Sequence, residues 1–256
     1  MRFVRVLVVV VALAVGCTSS AVPEAESDSA GWDGTIRQWG TLRDVMHGEV
    51  MEGQVRLAEV TDESDVVGIG APHRLQGEIV ITDGAAWVAE VRQGNRIETR
   101  RSVPRDSAVF LAVARVPRWT EVKLERDVSA DAFDEFIGSA IDRAGLGGMD
   151  TVPFLVEGVF PSLHLHVLNG QCPFAEIEVE QPGTGPPHRM TLNDARGLLV
   201  GFYSETGAGR ITHHGSRTHA HALVGPEDGR VVGHVDAVTL KAGTIIRVPA
   251  DRSPVD

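Results

Sequence analysis

At 256 residues, with 43% hydrophobic and 23% charged residues, the chain suits one large domain or two small ones with a substantial core. A net charge of −11 argues against nucleic acid or an anionic membrane surface as a partner. Histidine is the compositional anomaly, because eight of the ten fall between His164 and His234.

Met1 to Arg5 carries two arginines, Val6 to Val15 is an unbroken apolar run, and Gly16-Cys17 follows directly. This pattern predicts a signal peptide over residues 1–16, with an apolar run too short to span a bilayer as a mature helix. Leu13-Ala14-Val15-Gly16-Cys17 resembles the bacterial lipobox. The resemblance implies lipidation of Cys17 and an extracytoplasmic, membrane-anchored lipoprotein on the periplasmic or cell-surface side. No intrachain disulfide to Cys172 is then expected. Residues 17–33 are rich in Ser, Ala, Glu and Asp without hydrophobic period, and read as a flexible tether. Residues 34–256 form the expected folded domain, which meets the membrane only through the lipid.

Within that domain, Thr41 is placed to cap a helix over Leu42 to Met46, ending at Gly48. A second short helix is expected over Val55 to Val60, then a glycine-containing loop, Val67-Gly68-Ile69-Gly70-Ala71-Pro72. From Leu75 the period becomes two, and Gln76 to Val91 reads as a hairpin turning at Asp83-Gly84. Val109–Val116 is a further strand. Ser129 precedes the clearest helix, Ala130 to Ala144, whose apolar residues recur at three- and four-residue spacing before Gly145. Strands follow at Phe154–Phe160, Leu163–Leu168, Phe174–Glu180, Leu198–Tyr203, Thr218–Val224, Val231–Leu240 and Thr244–Val248. Strands outnumber helices without regular alternation. The fold class is α+β, with mixed or antiparallel sheets, few helices and a metal site in the C-terminal half.

His219 and His221 stand two apart in a strand and share a face. The turn Gly225-Pro226-Glu227-Asp228-Gly229 would bring His234 opposite them. Three converging imidazoles are a catalytic zinc arrangement with a fourth position left for water or substrate. The bland alternative is a solvated strand face. Glu78 opens a strand after Gly77, and solvent exposure is its default, since Glu is rarely buried without a partner. His164 and His166 repeat the one-face spacing, as a second metal pair, as proton donors, or as an exposed face, which is the default. His213 and His214 alternate sides, so at most one could join a metal group, and both are left out. Cys172 lacks a CxxC context and reads as a packed thiol. No Gly-x-Ser-x-Gly, Walker or dinucleotide fingerprint is present.

Taken in order, certain segments resemble the α-acetolactate decarboxylase family from about Arg37 to about Pro249. They are Gln38-Trp39-Gly40-Thr41-Leu42, Val66-Val67-Gly68-Ile69-Gly70, Leu75-Gln76-Gly77-Glu78 and Gly158-Val159-Phe160. Gln171-Cys172-Pro173-Phe174, Val200-Gly201-Phe202-Tyr203-Ser204, His219-Ala220-His221 and Gly233-His234-Val235-Asp236 complete the set. The resemblance implies Zn2+ held by His219, His221 and His234, with Glu78 acting beside the metal, reversing the solvent-first reading. It implies (S)-2-acetolactate, a small 2-hydroxy-3-oxo acid, as substrate and (R)-acetoin and CO2 as products. A homodimer is a further expectation. The family carries a catalytic Arg a few residues after its Gly-x-Phe motif, where this chain has His166. It also has a C-terminal extension ending in an active-site Glu, whereas this sequence stops at Asp256. His166 can donate a proton but lacks the permanent charge and bidentate fork of Arg. Loss of one such group commonly costs roughly 10²–10³ in rate. The alternatives are a metal- or ligand-binding lipoprotein of the same fold, or a cupin-like oxidoreductase, which His219-x-His221, Glu227 and His234 echo.

Overall fold

The computed structural model describes residues 31–173 and 184–250. The predicted signal peptide, Cys17 and the predicted strand Phe174–Glu180 lie outside the described residues. In chain order the elements are β1 (Ile36–Trp39), α1 (Leu42–Met46), β2 (Val55–Arg56), β3 (Val66–Pro72), β4 (Glu78–Thr82), β5 (Ala85–Arg92) and β6 (Arg96–Arg101). Then come β7 (Ser107–Arg115), β8 (Trp119–Lys123), α2 (Phe133–Arg143), β9 (Thr151–Val167) and β10 (His188–Ser204). β11 (Thr218–Val224), β12 (Val231–Thr239) and β13 (Ile245–Pro249) complete the set.

The strands form two sheets in which every strand pairing is antiparallel. The first runs β1-β7-β3-β4-β5-β6, with β2 on β7; the second runs β10-β11-β12-β9-β13-β8. Because β10 also pairs with β9, strands β9, β12, β11 and β10 close on themselves. Phe110, from the first sheet, and Phe154, Phe160 and Phe202, from the second, are fully buried in one shared apolar cluster. Each such ring contributes about 1.5–3 kcal/mol by leaving water.

Local signals account for several elements. The Thr41 hydroxyl accepts from Asp44 N at 3.2 Å, and Leu42, Val45 and Met46 turn inward, so α1 spans the predicted residues. In α2 the buried Phe133, Ile137, Ala140 and Ile141 follow the helical period, after a 3-10 turn over Ala130–Ala132. Asp83 and Gly84 both take positive φ, 49° and 67°, which a two-residue hairpin turn requires.

Other expectations need correction. Val67 to Pro72 is not a loop but lies in β3, between β4 and β7 and buried at every residue, so no polar alternation marks it. Val55 to Val60 is a two-residue strand and a 3-10 turn rather than a helix. Val55, Leu57 and Val60 there cover the second face of the first sheet against Ile79 and Ile81. The two strands expected on either side of Pro161 are one, β9; Pro161 has no partner in the ladder to β10, where Asp194 takes φ 50° between residues that do. The packed chain also starts before the expected tether boundary at residue 33, since Trp32 is buried and donates to the Ala250 carbonyl. No helix of the described residues is long and apolar enough to cross a membrane.

Candidate metal centre

β11 carries His219 and His221 on one face, and its register with β12 sets His221 opposite His234. On the other side of β12, His234 faces His166 of β9. Three neighbouring strands thus lay His221, His234 and His166 in a row, and all are buried, as is His219. Ring centroids are 4.5 Å apart for His166 and His234, 5.0 Å for His219 and His234, and 5.5 Å for His221 and His234. The three histidines expected to share a face are therefore neighbours inside the protein, with Phe110 stacked on His219 at 5.6 Å.

Backbone carbonyls orient two of these rings. His219 Nδ1 donates to Ile211 O at 2.8 Å, and His221 Nδ1 donates to Ile79 O at 2.9 Å. Each Nε2 is left with its lone pair, and the two Nε2 atoms face each other at 3.2 Å. Burial, reinforced by neighbouring imidazoles, holds both pKa values well below the usual histidine range. Two neutral lone pairs at that distance repel unless a cation lies between them. Imidazoles turned inward by a second hydrogen bond are the usual preparation for a metal, so these residues fit one.

Glu78 enters from the first sheet. Gly77 before it takes φ 133°, and a side chain there would collide with the Ala89 carbonyl, so only glycine lets the chain enter β4 at this point. Contrary to the default of exposure, Glu78 is buried. Its Oε1 accepts from Leu168 N at 3.3 Å and its Oε2 lies 3.5 Å from His221 Nε2. Burial raises its pKa well above the carboxylate range; the Leu168 N–H opposes this and the Asp236 charge adds to it.

His166 is likewise not on an exposed face. Its Nδ1 is 2.7 Å from Asp236 Oδ1, and its Nε2 is 3.9 Å from Glu78 Oε1. Asp236 stands where β12 shifts register between Val235 and Ala237, and its Oδ2 accepts from Arg189 at 2.8 Å. Burial pushes the Asp236 pKa up, but the hydrogen bond with His166 and the nearby His234 imidazole outweigh it and leave the carboxyl well below its ordinary value. His164, two residues away, is exposed and hydrogen-bonds Ser162 at 3.1 Å.

The strand pattern missed His213. Its loop, residues 205–217, brings the ring edge-on to His219 and His234, with centroids at 5.1 and 5.2 Å. Ligand atoms of His213, His219 and His234 all lie within 4.8 Å of one another, and the same holds for His166, His234 and Asp236. Either group could hold a metal ion. Burial lowers the His213 pKa to about 4 and that of His234 to about 3. The only hint in the sequence was a His-His pair just ahead of His219. Cys172, expected as a packed thiol, is half-buried at the cavity wall.

Known proteins resemble this chain in sequence and in fold. The chain is 24% identical over 220 residues to the α-acetolactate decarboxylase of Streptococcus thermophilus, covering 84% of each protein. With that of Lactococcus lactis subsp. cremoris it shares 25% over 213 residues, covering 81% of each. The crystal structure of α-acetolactate decarboxylase from Bacillus subtilis strain 168 superposes with a TM-score of 0.64 at 20% identity, over 84% of this chain and 86% of that one, so the fold is common to both. The sequence profile of α-acetolactate decarboxylase matches residues 36–253, nearly all of the described chain. On that match the chain belongs to the α-acetolactate decarboxylase family.

Proposed function

We propose that the domain decarboxylates a 2-hydroxy-3-oxo acid, converting (S)-2-acetolactate to (R)-acetoin and CO2, with Zn2+ held by His219, His221 and His234. The observation that carries this reading is the pair of Nε2 lone pairs 3.2 Å apart, each turned inward by a carbonyl. Imidazole donors suit zinc better than magnesium or calcium. When bound, the ion supplies Lewis-acid stabilisation of the negative charge that develops on the keto oxygen as CO2 leaves.

The chain's own groups do the rest. Asp236 accepts the Nδ1 proton of His166 and leaves Nε2 toward the cavity, where it can take a proton and deliver it to carbon. The ionised Asp236 stabilises the charged ring meanwhile. Glu78, between His166 and His221, orients the substrate hydroxyl and exchanges protons with it. Leu42, Met46 and Phe110 give the cavity an apolar wall that limits water. With histidine in place of the family's Arg, turnover roughly 10²–10³ below an arginine-bearing site is expected.

A second reading, a metal- or ligand-binding protein of this fold without turnover, is favoured by His166 facing carboxylates at both ring nitrogens. The cupin-like alternative leaves the N-terminal half unexplained, which the family match covers. We also propose that Cys17 tethers the domain outside the cytoplasm, so that Cys17→Ser would release it into the soluble fraction, and that the protein is a homodimer, to be read from sedimentation. To test the reaction, the purified protein is loaded with zinc and given racemic acetolactate. Acetoin formed by wild type and lost in His219→Ala supports the decarboxylase; bound zinc without acetoin sinks it in favour of the binder.

A further inference from the structure

Resting on the metal reading above, we propose that His213 is a fourth, displaceable metal-binding imidazole that closes the cavity on its outer side. Its ligand atom lies within 4.8 Å of those of His219 and His234, close enough for a modest side-chain adjustment to bring all three to one ion. The expected ligands all come from strands β11 and β12, whereas His213 comes from a loop.

That loop is built to hold a position. Ile211 and Thr212 are fully buried, and the Ile211 carbonyl that orients His219 is two residues before His213. Gly209 and Arg210 carbonyls accept from Arg43 N at 2.7 Å and Leu42 N at 3.1 Å, fastening the loop to α1. At its far end the Asp134 carboxylate accepts from Arg217 N at 2.6 Å and from the Ser216 and Thr218 hydroxyls. The segment that sets the tautomer of one ligand thus presents the next imidazole to the same point.

A four-imidazole shell is closed, while a reacting site needs an open position. His213 lines both the inner cavity and a larger outer groove that runs past His214, Gly215 and Asp236. Rotation of its side chain toward that groove opens the coordination position without moving a strand. The position so freed would be open to an incoming 2-hydroxy-3-oxo acid.

X-ray absorption at the zinc edge counts the imidazoles directly. Zinc-loaded wild type is expected to give four, falling to three in His213→Gln and falling to three in wild type saturated with acetoin. Competition with a chelator should place zinc affinity of His213→Gln at least about tenfold below wild type, with His214→Gln unchanged. A count of three in resting wild type overturns the fourth ligand even if His213→Gln fails to fold. A count of four that persists with acetoin overturns displacement. Wild type that takes up no stoichiometric zinc overturns the metal reading itself, and this inference with it.

Discussion

The two ends of the buried histidine cluster set one kind of side chain against two kinds of partner. At the inner end, His219 and His221 donate Nδ1–H to backbone carbonyls of Ile211 and Ile79. At the outer end, His166 meets the Asp236 carboxylate, itself clamped by Arg189. A carbonyl fixes the tautomer without adding charge, so the ring stays a neutral lone-pair donor. A carboxylate stabilises the charged ring, so His166 can accept and return a proton. Under the proposed function, the partner at the far nitrogen therefore decides what each imidazole would do.

Removing an inner ring should have the largest effect. His219→Ala or His221→Ala is expected to abolish stoichiometric zinc, weakening affinity by more than the roughly 10–100-fold typical of an outer partner. Acetoin formation should vanish with it, which metal analysis of the same preparation checks. At the outer end His166→Gln should leave zinc bound and lower kcat by about 10²–10⁴, the range of a general acid–base group. Asp236→Asn should follow it, because an amide no longer favours the charged ring. Zinc lost from His166→Gln would erase the distinction between the ends.

Much of this was legible because it was local. The hairpin at Asp83-Gly84, the Thr41-capped helix and the strands bearing His219, His221 and His234 each carry their signal within a few residues. β3 was invisible because burial on both faces removes the alternation that marks a strand, and β6 because Arg96 to Arg101 is a polar edge strand. At the site, the burial of Glu78 and His166 depends on the first sheet packing over the second, which no short window records. His213 reaches the cluster through contacts of its loop with α1 and Asp134, and strand periodicity says nothing about a loop.

Acid should separate the ends more gently. Burial depresses the folded-state pKa of His219, His221, His213 and His234, whereas the unfolded chain protonates near the ordinary value of 6.5. Below that pH the unfolded state binds more protons, so stability of the zinc-free protein falls as pH drops, through about 4 for His213 and about 3 for His234. Urea midpoints at pH 7 and pH 5 measure this, and His213→Gln should show a shallower loss. Equal slopes in both proteins would mean that the His213 ring is not held neutral by its burial.

The smallest effect is expected at the outermost member. Arg189 reaches Asp236 at 2.8 Å but is more than half exposed, so water and salt screen the pair. An exposed ion pair of this kind contributes about 0.2–1 kcal/mol, at most about fivefold in rate if all of it serves to orient Asp236. Arg189→Ala should thus lower kcat by no more than about fivefold, and wild type at high salt should reproduce the loss. The carboxylate has its own hold, through His166 at 2.7 Å and its place in the register shift of β12. A fall as deep as that of Asp236→Asn would instead mean that Arg189 alone fixes the carboxylate, moving control of the proton-handling ring to the protein surface.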